Sequence, residues 1–279
     1  MTPNAINKMV LYLGMAIVVF SLTMCKTQKL TVPVDSQVNS SKTKTETGKM
    51  LPLIKDKISY LDSLFSAAMQ EAENPTPDKI NYNLLPIVGN PDLIDTLIEG
   101  EKYVKMVSWK SNPTYFPDSG KYNTSKYDVW VTAAPLIQDK CIEYYKTQKD
   151  PNMRLRQLLG LQPFTVETFF LEVWVKPTDL FRPCPDNGTE DNHCELNLPN
   201  KVTDEYRKWF NNLRAVQYND CTDTTFHEYG YPWTQLGYTY DWSPDNQSHV
   251  GLSEFVITRN TDVYVSGKYA TKVYCKSEY

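Results

Sequence analysis

The stretch that decides the fold is Phe169-Phe170-Leu171-Glu172-Val173-Trp174-Val175. It is apolar, rich in β-branched and aromatic residues, and free of Gly and Pro, which is strand composition. Side chains alternate along a strand. Phe169, Leu171, Val173 and Val175 therefore share one face, and Phe170, Glu172 and Trp174 share the other. Upstream, Tyr103–Trp109 (YVKMVSW) has the same β character. Tyr127–Ala133 (YDVWVTA) alternates, with Val129, Val131 and Ala133 on one face.

Further out, the period changes. Between the strands, Pro135 opens a helix to about Tyr145, because proline suits the first helical turn. Residues 152–161 (NMRLRQLLGL) and 93–99 read as short helices. Residues 112–113 and 117–120 carry turn chemistry. Over residues 51–73, Ile54, Ile58, Leu61, Phe65 and Ala68 recur at helical spacing, so this segment is expected to pack a stripe on the core. Asn74-Pro75-Thr76-Pro77 stops it. Thr203 reads as an N-cap for DEYRKWFNNLRAV, whose stripe is Tyr206, Trp209, Phe210 and Leu213. Strands are expected at residues 236–242, 253–258, 262–266 and 271–275. Helices and strands mix without regular alternation, which predicts an α+β fold. No linker splits residues 50–279, so they are expected to form one domain with a mixed, mainly antiparallel sheet and several packed helices.

The chain has 279 residues, 41% of them hydrophobic, and a net charge of -4. That excludes a collagen-like or largely disordered chain. It also removes the electrostatic reason to expect a nucleic-acid partner. Charge is distributed unevenly, however. Lys8 precedes an apolar run from Met9 to Met24, and no Asp or Glu occurs before Cys25. A basic start and an apolar core form the layout of an export signal. The run is shorter than the roughly 20 residues of a membrane-spanning helix.

Leu22-Thr23-Met24-Cys25 resembles a bacterial lipoprotein signal. That resemblance implies cleavage after residue 24 and a fatty-acid (palmitate-type) anchor on Cys25, in the cell envelope, with the lipid bilayer as a partner. Met24 stands where the family prefers a small residue. An uncleaved anchor and an ordinary cleaved signal are the alternatives, and each exports the body. Residues 25–49 read as a tether with five lysines against Asp35 and Glu46. Basic residues near a membrane are drawn to anionic head groups.

Six cysteines are present. With Cys25 lipidated, five remain, and export permits disulfides. Cys184 and Cys194 enclose a turn-rich loop and form the best local pair. Cys221–Cys275 is the expected second pair. The enclosed loop carries Asp186, Asn187, Glu190, Asp191, Asn192 and His193, a density of oxygen ligands compatible with Ca²⁺. The spacing is not that of an EF-hand, and a metal-free acidic hairpin is expected. No zinc-protease spacing, paired C-x-x-C, nucleophile elbow or P-loop occurs, so no cofactor or metal is expected.

Residues 229–257 (YGYPWTQLGYTYDWSPDNQSHVGLSEFVI) are the most unusual segment. Trp233, Tyr240 and Trp242 are the ligand-binding candidates, because exposed aromatics beside polar groups stack on sugars or bases. Packing of alternating aromatics on a sheet face is the other reading. Ser253-Glu254-Phe255-Val256-Ile257 followed by Val263-Tyr264-Val265 resembles the last motif of ADP-ribosyltransferases. That resemblance implies a Glu254 contact to the nicotinamide ribose of NAD. Asp241 with Glu254 would be the carboxylate pair for glycan hydrolysis. The leading expectation is a membrane-anchored envelope lipoprotein acting as a binding or structural module, with an envelope protein or glycan as partner. An exported enzyme using Glu254 is the alternative.

Overall fold

The computed structural model describes residues 44–125, 127–218 and 230–276. The chain divides into Met1–Lys44 and Thr45–Tyr279, and apart from Lys44 the described elements belong to the second unit. The expected signal, Cys25 and most of the expected tether lie outside the described residues.

In chain order the helices are α1 (Lys44–Glu73), α2 (Ala134–Thr147), α3 (Pro151–Leu158), α4 (Asp204–Tyr218) and α5 (Thr271–Tyr274). The strands are β1 (Asp95–Ile98), β2 (Glu101–Lys110), β3 (Gly120–Asn123), β4 (Val129–Ala133), β5 (Phe169–Val175), β6 (Leu180–Phe181), β7 (Tyr238–Tyr240), β8 (Val250–Ser253), β9 (Phe255–Ile257) and β10 (Asp262–Ala270). Eight strands form one sheet in the order β3-β10-β5-β2-β4-β9-β6, with β1 also paired to β2, while β7 and β8 form a separate ribbon. Every pairing between these strands is antiparallel. This is an α+β fold in one domain.

The period-two pattern of β5 explains its place. Val173 sits opposite Met106 on β2 and Val265 on β10. Leu171, Val173 and Val175 join Val104, Val131 and Phe255 in one apolar cluster. Phe170 points to the other face, where Val107 and Trp109 meet Ile137 of α2, Leu155 of α3 and Tyr274 of α5. Phe170 lies between two rings, 4.3 Å from Tyr274 and 5.5 Å from Trp109. A strand apolar on both faces needs cover on both, and strand contacts supply one side and helices the other.

Five local expectations change. Residues 95–98 form a strand, because Glu99 and Gly100 both take positive φ (53° and 84°) and make a two-residue hairpin turn into β2. Positive φ at both central residues is the requirement of that turn. Residues 271–274 form a helix, which folds Tyr274 and Cys275 back against α2. α1 begins at Lys44, inside the stretch read as tether. On its expected stripe, Leu61, Phe65 and Ala68 are buried against α4 and the aromatic segment, whereas Ile54 and Ile58 are exposed. β3 and β6 are additional strands on the two sheet edges.

Two disulfides close the described body. Cys184 pairs with Cys194, as their spacing suggested. Cys275 pairs with Cys141 rather than Cys221, because α5 returns the chain to α2 with the two Cα atoms 4.9 Å apart. Cys221 lies outside the described residues. The first bridge closes a loop with sequence separation 10 and the second one of 134. In the chain-entropy model these stabilise by about 2–3 and about 5 kcal/mol.

Candidate functional site

The aromatic segment folds inward. Trp233, Tyr240 and Trp242 are only 5%, 5% and 2% exposed. Trp233 donates its Nε1–H to the Pro183 carbonyl (3.1 Å), and Trp242 donates to the Leu161 carbonyl (2.9 Å). The Tyr240 hydroxyl donates to Glu71 Oε2 (2.8 Å). The Phe65 ring meets Trp242 edge-on at 5.8 Å. The expectation of a stacking surface at these three residues is therefore corrected. They fill the interior between α1, α4 and the sheet, and their polar atoms bond to the protein, as buried Tyr and Trp require.

The two carboxylates are equally enclosed. Asp241 is 1% exposed and receives both Nη atoms of Arg154, at 2.9 and 2.6 Å. It also accepts from Ser243 N and Asn246 Nδ2. This fork is the geometry that satisfies a buried carboxylate. It leaves no oxygen aimed at a substrate, so Asp241 acts as a structural ion in this conformation. Arg154 lies over the Tyr144 ring at 4.7 Å.

Glu254 occupies the link between β8 and β9. Its backbone N–H donates to Gly237 O (3.1 Å). The side chain is buried and its Oε1 has no hydrogen-bond partner among the described residues. Burial pushes the carboxyl up to about 8. A protonated, enclosed acid is not placed to contact a ribose or to share a glycosidic bond with Asp241, both of which need an open face.

The acidic loop is organised by an arginine. Arg182 is fully buried. It donates to Asp191 Oδ1 (2.5 Å), to the carbonyls of Asp191 (2.7 Å) and His193 (3.1 Å), and to Leu85 O (3.2 Å). Glu190 accepts from Thr189 N, and Asp186 from Glu195 N. Cys184, Asp186 and Cys194 cluster at metal-ligand distances, but the two sulfurs are bonded to each other and a metal needs thiolates. Gly237 backs this loop. A Cβ there would lie 2.7 Å from Cys194 Sγ and 2.5 Å from Arg182 Cδ.

Arg182 and this loop also hold Leu85 and Leu84, which line an open groove. The groove has a volume of about 540 Å³ and runs between residues 81–92 and residues 251–253, which is within the usual range for small-molecule sites. Leu85, Val88 and Leu136 supply apolar surface, and Asn81, Asn83 and Asp92 supply polar groups. Residues 81–92 have no regular structure except turns, yet they are held at several points. Leu84 N donates to Asn192 O (2.8 Å) and Ile87 N to Thr189 O (2.6 Å). Leu85 N donates to Ser253 Oγ (2.8 Å). In the sequence, Pro86, Gly89 and Pro91 mark this stretch as a loop, with no indication of a groove beyond the density of Asn and Pro between two packed elements. His227 lies outside the described residues, as do Cys25 and Cys221. No protein-family model, curated protein or solved structure matches the chain.

Proposed function

We propose that the chain is an exported protein, held at the cell envelope by a lipid on Cys25, whose body is a binding module that uses the groove between residues 81–92 and 251–253. The observation that carries the export reading is the pair of disulfides, Cys141–Cys275 and Cys184–Cys194. Disulfides persist in oxidising compartments and are rare in the cytosol. The apolar run before Cys25 agrees with this, and no described helix is long and apolar enough to cross a membrane. A lipid on Cys25 supplies the attachment, since two or more acyl chains anchor stably where one does not.

The groove supports the binding reading because backbone hydrogen bonds from Leu84, Leu85 and Ile87 hold one wall in place. A preformed site avoids the ordering cost that weakens binding by mobile loops. Metabolic labelling with an alkyne fatty acid tests the anchor. The wild-type protein takes up label and Cys25→Ala does not. A wild type without label overturns the lipid-anchored reading. With Cys25 acylated, Cys221 is the one cysteine left outside the two bridges, and a thiol count on the denatured, unreduced protein reads it directly.

A further inference from the structure

We infer that Ser253 and Glu254 form a proton-coupled latch: the wall of residues 81–92 stays fastened at Leu85 while Glu254 is buried with its proton, and opening the joint releases that proton. The latch is a property of the wall and is independent of what the groove binds.

The latch sits where two sheets meet. Among the described strands, β8 pairs only with β7, whereas β9 lies between β4 and β6 in the main sheet. Glu254 is the single residue between β8 and β9. Three contacts pin this joint. Ser253 sits opposite Tyr238 on β7. The Glu254 N–H donates to Gly237 O (3.1 Å). Ser253 Oγ accepts from Leu85 N (2.8 Å), which ties the joint to the groove wall.

The Glu254 side chain brings a proton into this joint. It is buried, and no partner meets its Oε1 among the described residues. Two hydroxyls are coupled to it, Tyr218 of α4 and Tyr238 of β7. Each already donates elsewhere, Tyr218 to Trp233 O (2.5 Å) and Tyr238 to Lys79 O (2.9 Å). The further charges acting on those hydroxyls are Glu71 and Glu73 of α1, Asp78, and Arg214 of α4. Lys79 is paired with Glu71. Arg182, whose stem packs on Gly237, holds Asp191 and three carbonyls. No charge offsets the burial of Glu254, and burial alone raises its carboxyl. An acid so placed keeps its proton, because an unpaired carboxylate in the interior is far costlier than a neutral acid.

The ribbon is the side that gives. β7 has three residues and β8 four, and their register shifts between Tyr238 and Tyr240. A two-stranded ribbon is marginal by itself, and weakly supported segments open at less cost than a whole domain. Opening brings Glu254 to water, where its carboxyl ionises near the ordinary 4.5. The closed joint keeps the proton until about pH 8, so raising the pH between those values favours the open joint. Leu85 N then loses its acceptor. Leu84 N and Ile87 N, held by Asn192 O and Thr189 O, keep theirs.

Amide hydrogen exchange of the full-length protein tests the latch, with each rate divided by that of the same amide in an unfolded peptide at the same pH. Protection of the Leu85 and Glu254 amides should fall by about fifty-fold between pH 6 and pH 8 and level off above, as a carboxyl titrating near 8 when closed and near 4.5 when open requires. It should stay below the protection of Val173 in β5, which opens only with the whole domain. In Glu254→Gln the fall disappears. In Ser253→Ala the Leu85 amide loses protection at every pH, while the Glu254 amide keeps its pH dependence. A flat wild-type profile overturns the latch, as does an unchanged slope in Glu254→Gln. Equal protection of Leu85 and Val173 at every pH also overturns it, since the joint then opens only when the domain unfolds.

Discussion

Residues 233–242 and residues 81–92 are both short runs of mixed polar and apolar side chains, and they use their polar atoms in opposite ways. In the first run, both indole N–H groups, the Tyr240 hydroxyl and both Asp241 oxygens are bonded within the protein. In the second, the backbone is bonded and several side-chain tips are not. Leu84 N, Leu85 N and Ile87 N all have partners, while the Asn83 and Asp92 side chains face the groove. A run whose side chains are all satisfied is a structural element, however exotic its composition. A run with a fixed backbone and open side chains is a surface prepared for something else. The comparison teaches that satisfaction of polar atoms, not aromatic content, separates a packed segment from an open one.

The comparison breaks most easily at Trp242. Trp242→Ala removes a buried ring from the contact with Phe65, and an unfolding curve should show a loss of about 3–5 kcal/mol. A loss under about 1 kcal/mol would mean that the aromatic segment is not core. Arg154→Ala comes next. It strands the Asp241 carboxylate in the interior, and breaking a buried pair this way costs about 3 kcal/mol or more. Wild-type stability in that variant would return Asp241 to the list of available carboxylates.

Glu254 sharpens the comparison through pH. Its folded-state value is raised to about 8 from the ordinary 4.5, so between those values the native state holds a proton that the unfolded state has released. Stability from this group is present at low pH and is lost as pH rises through about 8. The groups coupled to it are the Tyr218 and Tyr238 hydroxyls, and burial raises both tyrosines as well. Glu254→Gln should therefore flatten the fall in stability between about pH 4.5 and pH 8 and gain about 1–3 kcal/mol at pH 9. Equal pH profiles for the variant and the wild type would place Glu254 in contact with water. The smallest effect belongs to the groove. Asn83→Ala should change stability by less than about 0.5 kcal/mol, as exposed substitutions do. A large loss would make Asn83 a structural residue and the groove a by-product of packing.

Periodicity made much of this fold legible. The two faces of Phe169–Val175, the stripe of Tyr206 and Phe210, and the helix opened by Pro135 all follow from side-chain direction, which is local. Cys184–Cys194 was legible because a short loop brings its own ends together. What failed was long-range or conformational. Leu93, Ile94 and Leu97 mimic a helical stripe, and only the left-handed Glu99-Gly100 pair makes the segment a hairpin. Glu-Gly is not the Asn-Gly or Asp-Gly of a strong hairpin signal. Thr271–Tyr274 is rich in strand formers, but tertiary contact with α2 overrides that preference. The partner of Cys275 is 134 residues away, and nothing local names it. The groove was illegible because each of its walls is shaped by hydrogen bonds to a chain segment far off in sequence.

If the chain is anchored on its N-terminal side as proposed, the Cys141–Cys275 bridge sets which part of it a pull can straighten. A pull on the body, with the N-terminal side held, can straighten only the chain outside the bridge. The 134-residue separation corresponds to about 450 Å of extended chain at roughly 3.4 Å per residue. That length stays out of reach of the force until the bond is reduced. Both walls of the ribbon β7–β8, the Arg182 loop and residues 251–253 lie inside this closed span. A load applied on the N-terminal side would open α1 and the first hairpin while residues 251–253 stayed within the closed span.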